Sequence, residues 1–273
     1  MIGSLQITVP AGCMNDCGFC VYKQHSSKFK TEWNSNHERW YWEVERRIRY
    51  AADRVEAVMI TSHGEPTLNM AYIQDILNTL RTVSPSLAHV ELQTSGVGLT
   101  EEKLNLLFEL GVRVISLSVP ALDKDKIVEI MCVPEKYKYD PIKLSKLIRS
   151  KGFILRLSIA MTNWFDDCSL DQILNQLVAV WKPNQVSFKK IHGADDYASQ
   201  KYDELVREFK SRESFKRLEL LPIGTWKYDA VGIGVVWNDD CMVSKEQKVP
   251  RYLILQPDGK LYTRWDSKAS VVF

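Results

Sequence analysis

Residues 9–22 read V-P-A-G-C-M-N-D-C-G-F-C-V-Y, placing Cys13, Cys17 and Cys20 in a C-x3-C-x2-C spacing. Thiolates this close on one loop can turn toward a single centre, as a soft metal ion or an iron–sulfur cluster requires. Two arrangements satisfy that spacing. With His25 as a fourth ligand the loop closes a structural zinc site. With three thiolates alone, a 4Fe–4S cubane keeps one iron open to a ligand that is not protein.

Outward from the loop, strands and helices alternate. Residues 4–9 (S-L-Q-I-T-V) form a short alternating strand that leads into the cysteines. Residues 33–54 carry Trp40, Val44, Arg47 and Ile48 at helical spacing, and the run Trp40, Tyr41, Trp42 reads as core and rim packing. Further strands are predicted at 55–62, 89–95, 112–119, 153–161 and 185–191. Between and after them lie helical stretches at 70–83, after an N-cap at Thr100, and at 124–131, 141–150, 170–181 and 200–212. Such alternation implies right-handed βαβ units and a parallel sheet. After residue 215 the rhythm changes to strands without helices at 216–221, 231–237, 252–256 and 260–263, with P-D-G-K at 257–260 as a hairpin turn. The expected fold is α/β: a partial (β/α)6 TIM-like barrel over 1–214, with a small C-terminal β-rich extension over 215–273 read as a lid on the barrel mouth.

Ligands of barrels and open α/β sheets sit at the carboxyl ends of the strands, which singles out several residues. The second strand ends in T-S-H-G-E-P-T-L (61–68), bearing Gly64, Glu65 and Pro66. The third ends in Q-T-S-G with Thr94 and Ser95, and the fourth in S-L-S-V with Ser116 and Ser118 on one face. On the fifth, L-R-L-S sets Arg156 and Ser158 on a shared face, and the sixth ends in F-K-K-I-H-G with Lys189, Lys190 and His192. Each has an ordinary reading beside the functional one. Gly64 is a turn residue, Pro66 opens a helix and Glu65 suits its dipole. An inward Arg156 needs a bound anion or a bridge to one of the chain's own carboxylates. Lysines and a histidine at a strand end receive an anionic substrate or are simply solvated.

A chain of 273 residues, 45% of them hydrophobic, can bury a sizeable core. Its net charge of +2 argues against a bulk electrostatic partner such as nucleic acid or membrane. No run approaches the roughly 18 apolar residues that span a bilayer, and no secretory signal is visible. Cys132, Cys168 and Cys241 are scattered and form no disulfide framework, which fits a reducing cytoplasm. They read as buried packing residues. Cys241, between Asp240 and Met242, is the one candidate for substrate contact or hydrogen donation.

The motif C-x3-C-x-F-C, followed by G-E-P after the next strand, resembles the signature of the radical S-adenosylmethionine (radical SAM) superfamily over about residues 4–195. The resemblance implies that Cys13, Cys17 and Cys20 hold a 4Fe–4S cluster and that S-adenosylmethionine (SAM) chelates its open iron. It implies further that Phe19 lends its backbone to the adenine. By the same resemblance Gly64, Glu65 and Pro66 form the "GGEP" loop near the SAM amino group, with His63 in place of the first glycine. Thr94, Ser95, Ser116, Ser118, Arg156 and Ser158 would complete the SAM site. An electron from a reductant such as flavodoxin or ferredoxin would then give a 5′-deoxyadenosyl radical that takes hydrogen from a substrate. A nucleotide or modified base fits Lys189, Lys190 and His192. A peptide fits the hairpin Y-L-I-L-Q-P-D-G-K-L-Y-T, which resembles SPASM or "twitch" extensions but lacks their flanking cysteines, so no auxiliary cluster is expected. A glycyl-radical-enzyme activase is the alternative within the family; a non-catalytic zinc- or iron–sulfur-binding module is the alternative outside it.

Overall fold

A computed structural model describes residues 2–24, 37–85, 89–221, 224–239, 252–265 and 267–272. Strands β1 (Ile2–Val9), β2 (Val55–Ser62), β3 (Val90–Thr94), β4 (Val112–Val119), β5 (Ile154–Ala160) and β6 (Gln185–Lys189) lie side by side in chain order, all parallel. The helices are α1 (Val21–Gln24), α2 (His37–Ala52), α3 (Met70–Val83), α4 (Glu101–Glu109), α5 (Lys124–Ile130), α6 (Pro141–Ser150), α7 (Leu170–Gln176) and α8 (Tyr202–Ser211). Local chemistry fixes their starts. Thr100 accepts from the Lys103 amide at the head of α4, Asp123 and Asp140 cap α5 and α6, and Ser169 with Gln172 forms a capping box on α7. The expected α/β partial barrel is the observed fold.

The period-two alternation of the strands separates two environments. Leu5, Ile7, Val58, Ile60, Leu92, Ile115, Leu117, Leu155, Leu157, Val186 and Phe188 point outward into one core beneath the helices. On α2 the face carrying Trp40, Val44 and Ile48 meets that core, whereas Trp42 is exposed. The inner face is polar: Gln6 and Thr8 on β1, Glu91 on β3, Ser116 and Ser118 on β4, Arg156 and Ser158 on β5, and Gln185, Ser187 and Lys189 on β6. Closely packed apolar side chains thus account for stability on one face, and the other is left for chemistry.

The C-terminal strands differ from the expected lid: they extend the sheet at both edges. Strands β7 (Lys216–Leu220), β8 (Trp226–Ala230) and β9 (Ile233–Asn238) form an antiparallel meander, and β9 runs parallel to β6. Strand β10 (Tyr252–Leu255) runs parallel to β1 and turns back into β11 (Leu261–Tyr262). Val231 and Gly232, expected inside one long strand, form the β8–β9 turn, with φ of 52° and 79°. Placing β9 and β10 on the open edges covers backbone groups that a six-stranded sheet would leave unpaired.

Candidate active site

The cysteine loop leaves β1 at Pro10 and is fastened on two sides. From β2, the Glu65 amide donates to the Gly12 carbonyl (2.8 Å), and the Asn69 side-chain amide donates to the Pro10 carbonyl (3.0 Å). From the end of α5, the Met131 carbonyl accepts from the Asp16 amide (3.2 Å) and from the Cys17 thiol (3.6 Å). Gly64 lies so close to Gly12 that a Cβ on it would overlap the Gly12 carbonyl. Gly18 is covered by the ring of Tyr197, from the segment after β6, and a Cβ there would overlap that ring. The sheet therefore curls until the segment beyond β6 meets the loop that follows β1.

Cys13 is exposed, and Cys17 and Cys20 are half-buried. Burial, followed by the charges of Cys20 and Cys13, pushes the Cys17 thiol up to about 12; burial is also the main cause that raises Cys13. Cys13 and Cys17, whose ionisation burial and neighbouring thiolates oppose, fit an iron–sulfur group, whose positive iron would relieve the repulsion and displace their protons. Among the described residues no three or more His, Cys, Asp or Glu side chains are gathered as a single ion would require. His25, the fourth ligand of the zinc arrangement, lies outside the described residues, as does Cys241. Cys132, expected to be buried, is exposed just after α5, near enough for its charge to bear on Cys17.

The G-E-P and T-S-G motifs prove to be one assembly. Glu65 is buried, and its carboxylate accepts from the Thr67 amide (3.2 Å), the Thr67 hydroxyl (2.8 Å), the Thr94 hydroxyl (2.7 Å), the Ser95 amide (2.8 Å) and the Ser95 hydroxyl (2.5 Å). Tyr139 closes the same corner by donating from its hydroxyl to the Ser95 carbonyl (2.7 Å). A buried carboxylate is tolerated only when its lone pairs are satisfied in this way. Glu65, Thr94 and Ser95, expected as cofactor ligands, thus spend these side-chain groups on each other, welding the ends of β2 and β3. Gly64 and the half-buried Phe19 remain at the mouth, and Pro66 opens a short 3-10 turn.

Arg156 also has internal partners. Its guanidinium forms an ion pair with Glu91 on β3 and donates to the Gln185 side chain (2.8 and 2.6 Å). Of the two readings of an inward arginine, the bridge to the chain's own carboxylate is the one observed. Ser116 is buried with its hydroxyl unpartnered among the described residues, Ser158 is buried and Ser118 is half-buried. The basic trio divides. Lys190 turns out toward α8 and pairs with Asp203 (2.8 Å), and the ring of His192 meets the Asp239 carbonyl (2.9 Å). Lys189 alone of the three stays on the inner face.

His63 was expected only as a substitution in the G-E-P loop, yet it is an aromatic keystone. It stacks on Tyr22 (4.7 Å between centroids) and meets Trp265 edge-on (5.8 Å). Trp265 in turn donates from its indole to Gln6 (2.8 Å), so the C-terminal segment is pinned to β1 beside the cysteine loop. Burial lowers His63 to about 4, which keeps the ring neutral near pH 7. A cavity of about 650 Å³, lined by Lys124, Glu129, Cys132, Lys138, Tyr139 and Asp140, opens beside α5.

A parallel partial barrel whose first loop carries three cysteines, fastened to a glycine-bearing loop after the second strand, defines a cofactor-binding α/β enzyme scaffold. The chain belongs to the radical SAM superfamily, whose family model matches residues 7–168. Members of that superfamily are enzymes, and membership implies SAM and an iron–sulfur cluster as cofactors. Among solved structures it is similar to SuiB of Streptococcus suis bound to S-adenosylmethionine (TM-score 0.61, 18% identity, covering 96% of this chain and 60% of SuiB). The structure of SuiB bound to the precursor peptide SuiA gives a TM-score of 0.60 at 17% identity, with coverage of 95% and 58%. Native anSMEcpe with bound AdoMet and the Cp18Cys peptide gives 0.61 at 15% identity, covering 98% of this chain and 75% of anSMEcpe. The chain thus spans about 60% of SuiB's length. No curated protein matches it. Among the described residues no helix is long and apolar enough to cross a membrane.

Proposed function

We propose that this chain is a radical SAM enzyme that holds a 4Fe–4S cluster on Cys13, Cys17 and Cys20 and acts on a peptide or another small substrate within the mouth of the partial barrel. The observation that carries the reading is the contact between the cysteine loop and the G-E-P loop: Gly64 packed on Gly12, with the Glu65 amide bonded to the Gly12 carbonyl. It holds the three cysteines beside the strand-end loop to which the family resemblance assigns the SAM amino group. Cys13, Cys17 and Cys20 would hold the cluster, which, once reduced, would supply one-electron reductive cleavage of SAM and with it the capacity to take hydrogen from a substrate. The chain's own residues set position. Glu65 keeps the ends of β2 and β3 fixed, Phe19 offers backbone to the adenine, and Ser116, Ser118 and Ser158 offer hydroxyls along the inner face. Tyr197 packs on Gly18 of the cysteine loop, and Tyr22 and Trp265 flank His63 beside it.

A peptide substrate is supported by the fold shared with SuiB and anSMEcpe, whose structures carry a precursor peptide and the Cp18Cys peptide respectively. Flavodoxin or ferredoxin is the expected reductant, and a reducing cytoplasm the expected setting. The test is anaerobic reconstitution with iron and sulfide, followed by reductant and SAM. The expected result is a brown protein that forms 5′-deoxyadenosine, and a Cys17→Ala variant that forms none. Zinc retained without SAM cleavage would overturn the assignment in favour of a non-catalytic module, and full cleavage by Cys17→Ala would overturn the assignment of the cluster to this cysteine trio.

A further inference from the structure

The inner face holds one cation, Lys189, that no described residue neutralises. Lys189 ends β6 in register with Ala160 on β5 and Asn238 on β9, and its neighbours Phe188 and Val186 point the other way, into the helix-covered core. Its ammonium makes no hydrogen bond or ion pair among the described residues, and Lys189 remains partly open to solvent. The charges that bear on it are those of Glu91 and Arg156, and those two are already paired with each other. Burial by the surrounding barrel lowers its pKa, the response of an amine whose charge lacks a partner. Beneath it runs a row of hydroxyls: Ser118, Ser158 and Ser187 are register partners across β4, β5 and β6. None of the three makes a side-chain hydrogen bond to a described residue.

We infer that Lys189, with the Ser187 hydroxyl on the same face, binds a single carboxylate of the substrate; this rests on the radical SAM reading of the site. Three considerations lead there. The ammonium and hydroxyls together offer donors to one anionic oxygen group, which is charge-assisted recognition. With Arg156 paired to Glu91, the surplus on the inner face among the described residues is one positive charge; it balances a carboxylate, whereas a phosphate monoester of nearly two negative charges would be left partly uncompensated. The position favours substrate over cofactor. The cysteine and G-E-P loops follow β1 and β2, so a SAM head group on the cluster belongs to those strands; the sheet curls to bring the segment after β6 to the cysteine loop, but the charges that bear on Lys189 are those of Glu91 on β3 and Arg156 on β5, with no cysteine among them. Carboxylate-bearing substrates in this sense include the side chain of an acidic residue or the C-terminus of a peptide.

The test uses the reconstituted, SAM-loaded enzyme with N-acetyl-leucine, its neutral amide, and phenyl phosphate as probes, binding being read by saturation-transfer NMR. The carboxylate is expected to bind about tenfold more tightly than the amide and more tightly than the phosphate. Lys189→Gln is expected to lose that preference while still retaining SAM. Lys189→Arg, which keeps the charge, is expected to retain the preference, and thermal melts of both variants guard against misfolding. Equal binding of carboxylate and amide, tighter binding of phosphate, binding of no probe, or an unchanged preference in Lys189→Gln overturns the inference. So does loss of SAM retention in that variant, which would place the lysine at the cofactor. Failure of the wild-type protein to cleave SAM is a separate result, which removes the radical SAM reading itself.

Discussion

The two sides of the mouth treat their polar groups in opposite ways. At the ends of β2 and β3 the polar groups are spent on one another: the Glu65 carboxylate takes five hydrogen bonds from Thr67, Thr94 and Ser95, and the Gly12 carbonyl takes the Glu65 amide, while lower down the Thr8 hydroxyl on β1 and one Glu91 oxygen on β3 have no partner among the described residues. Along β4, β5 and β6 the hydroxyls of Ser116, Ser118, Ser158 and Ser187 and the ammonium of Lys189 are left without protein partners among the described residues. Satisfied networks hold a geometry, and unsatisfied donors and acceptors in an enclosed site wait for a ligand. The first side is built as a frame, and the second is built to receive.

Four perturbations sharpen or break that contrast. The largest effect is expected at Glu65. Glu65→Ala leaves several buried donors without an acceptor and should cost about 3–5 kcal/mol, read as a melting point roughly 10 °C lower. A loss below about 1 kcal/mol would mean that the network frames nothing. Gly64→Ala comes next. Its new Cβ has to displace the Gly12 carbonyl, and a shift of about 1 Å in the cysteine loop should lower 5′-deoxyadenosine formation on the order of 100-fold. Near-normal turnover would show that the two loops are less tightly keyed than their packing indicates.

His63 gives a smaller, pH-dependent effect. Its folded pKa of about 4 lies below the ordinary 6.5, so its contribution is complete above pH 6.5 and is lost as pH falls toward about 4, where the unfolded chain has already taken up the proton. Denaturant unfolding should therefore show a decline on the order of 2–3 kcal/mol over that range, which His63→Phe flattens. An identical slope in the variant would assign the decline to other groups. The smallest effect is expected at Lys190. Its ion pair with Asp203 is largely exposed, so Lys190→Ala should change stability by less than about 1 kcal/mol and leave SAM cleavage unaltered. A clear loss of turnover would return Lys190 to the receiving side.

The parts of the site that were legible in the sequence are those set by short spacing. Three cysteines within one loop, G-E-P after a strand and hydroxyls at later strand ends each announce themselves within a few residues. What stayed hidden depends on contacts between distant positions. Arg156 and Glu91 lie 65 residues apart, and nothing near either one shows that they meet. Glu65 with Ser95, Gly18 with Tyr197, and Gln6 with Trp265 are likewise invisible until the strands are in order. Lys189 and Lys190, adjacent and alike in the sequence, part company because successive residues of a strand face opposite sides. That much was expected; which face would have an acidic partner was not.

The amino-acid sequence by itself determined the alternation of strands and helices, the cysteine loop and the family, because each rests on local periodicity or local spacing. Tertiary structure alone decided that β9 and β10 would extend the two edges of the sheet, because strand pairing is satisfied by any compatible edge and leaves no mark in either partner. It also decided which polar groups would be used up and which left free. That depends on the distance between side chains brought together by a curled sheet, and a linear pattern of residues does not carry it.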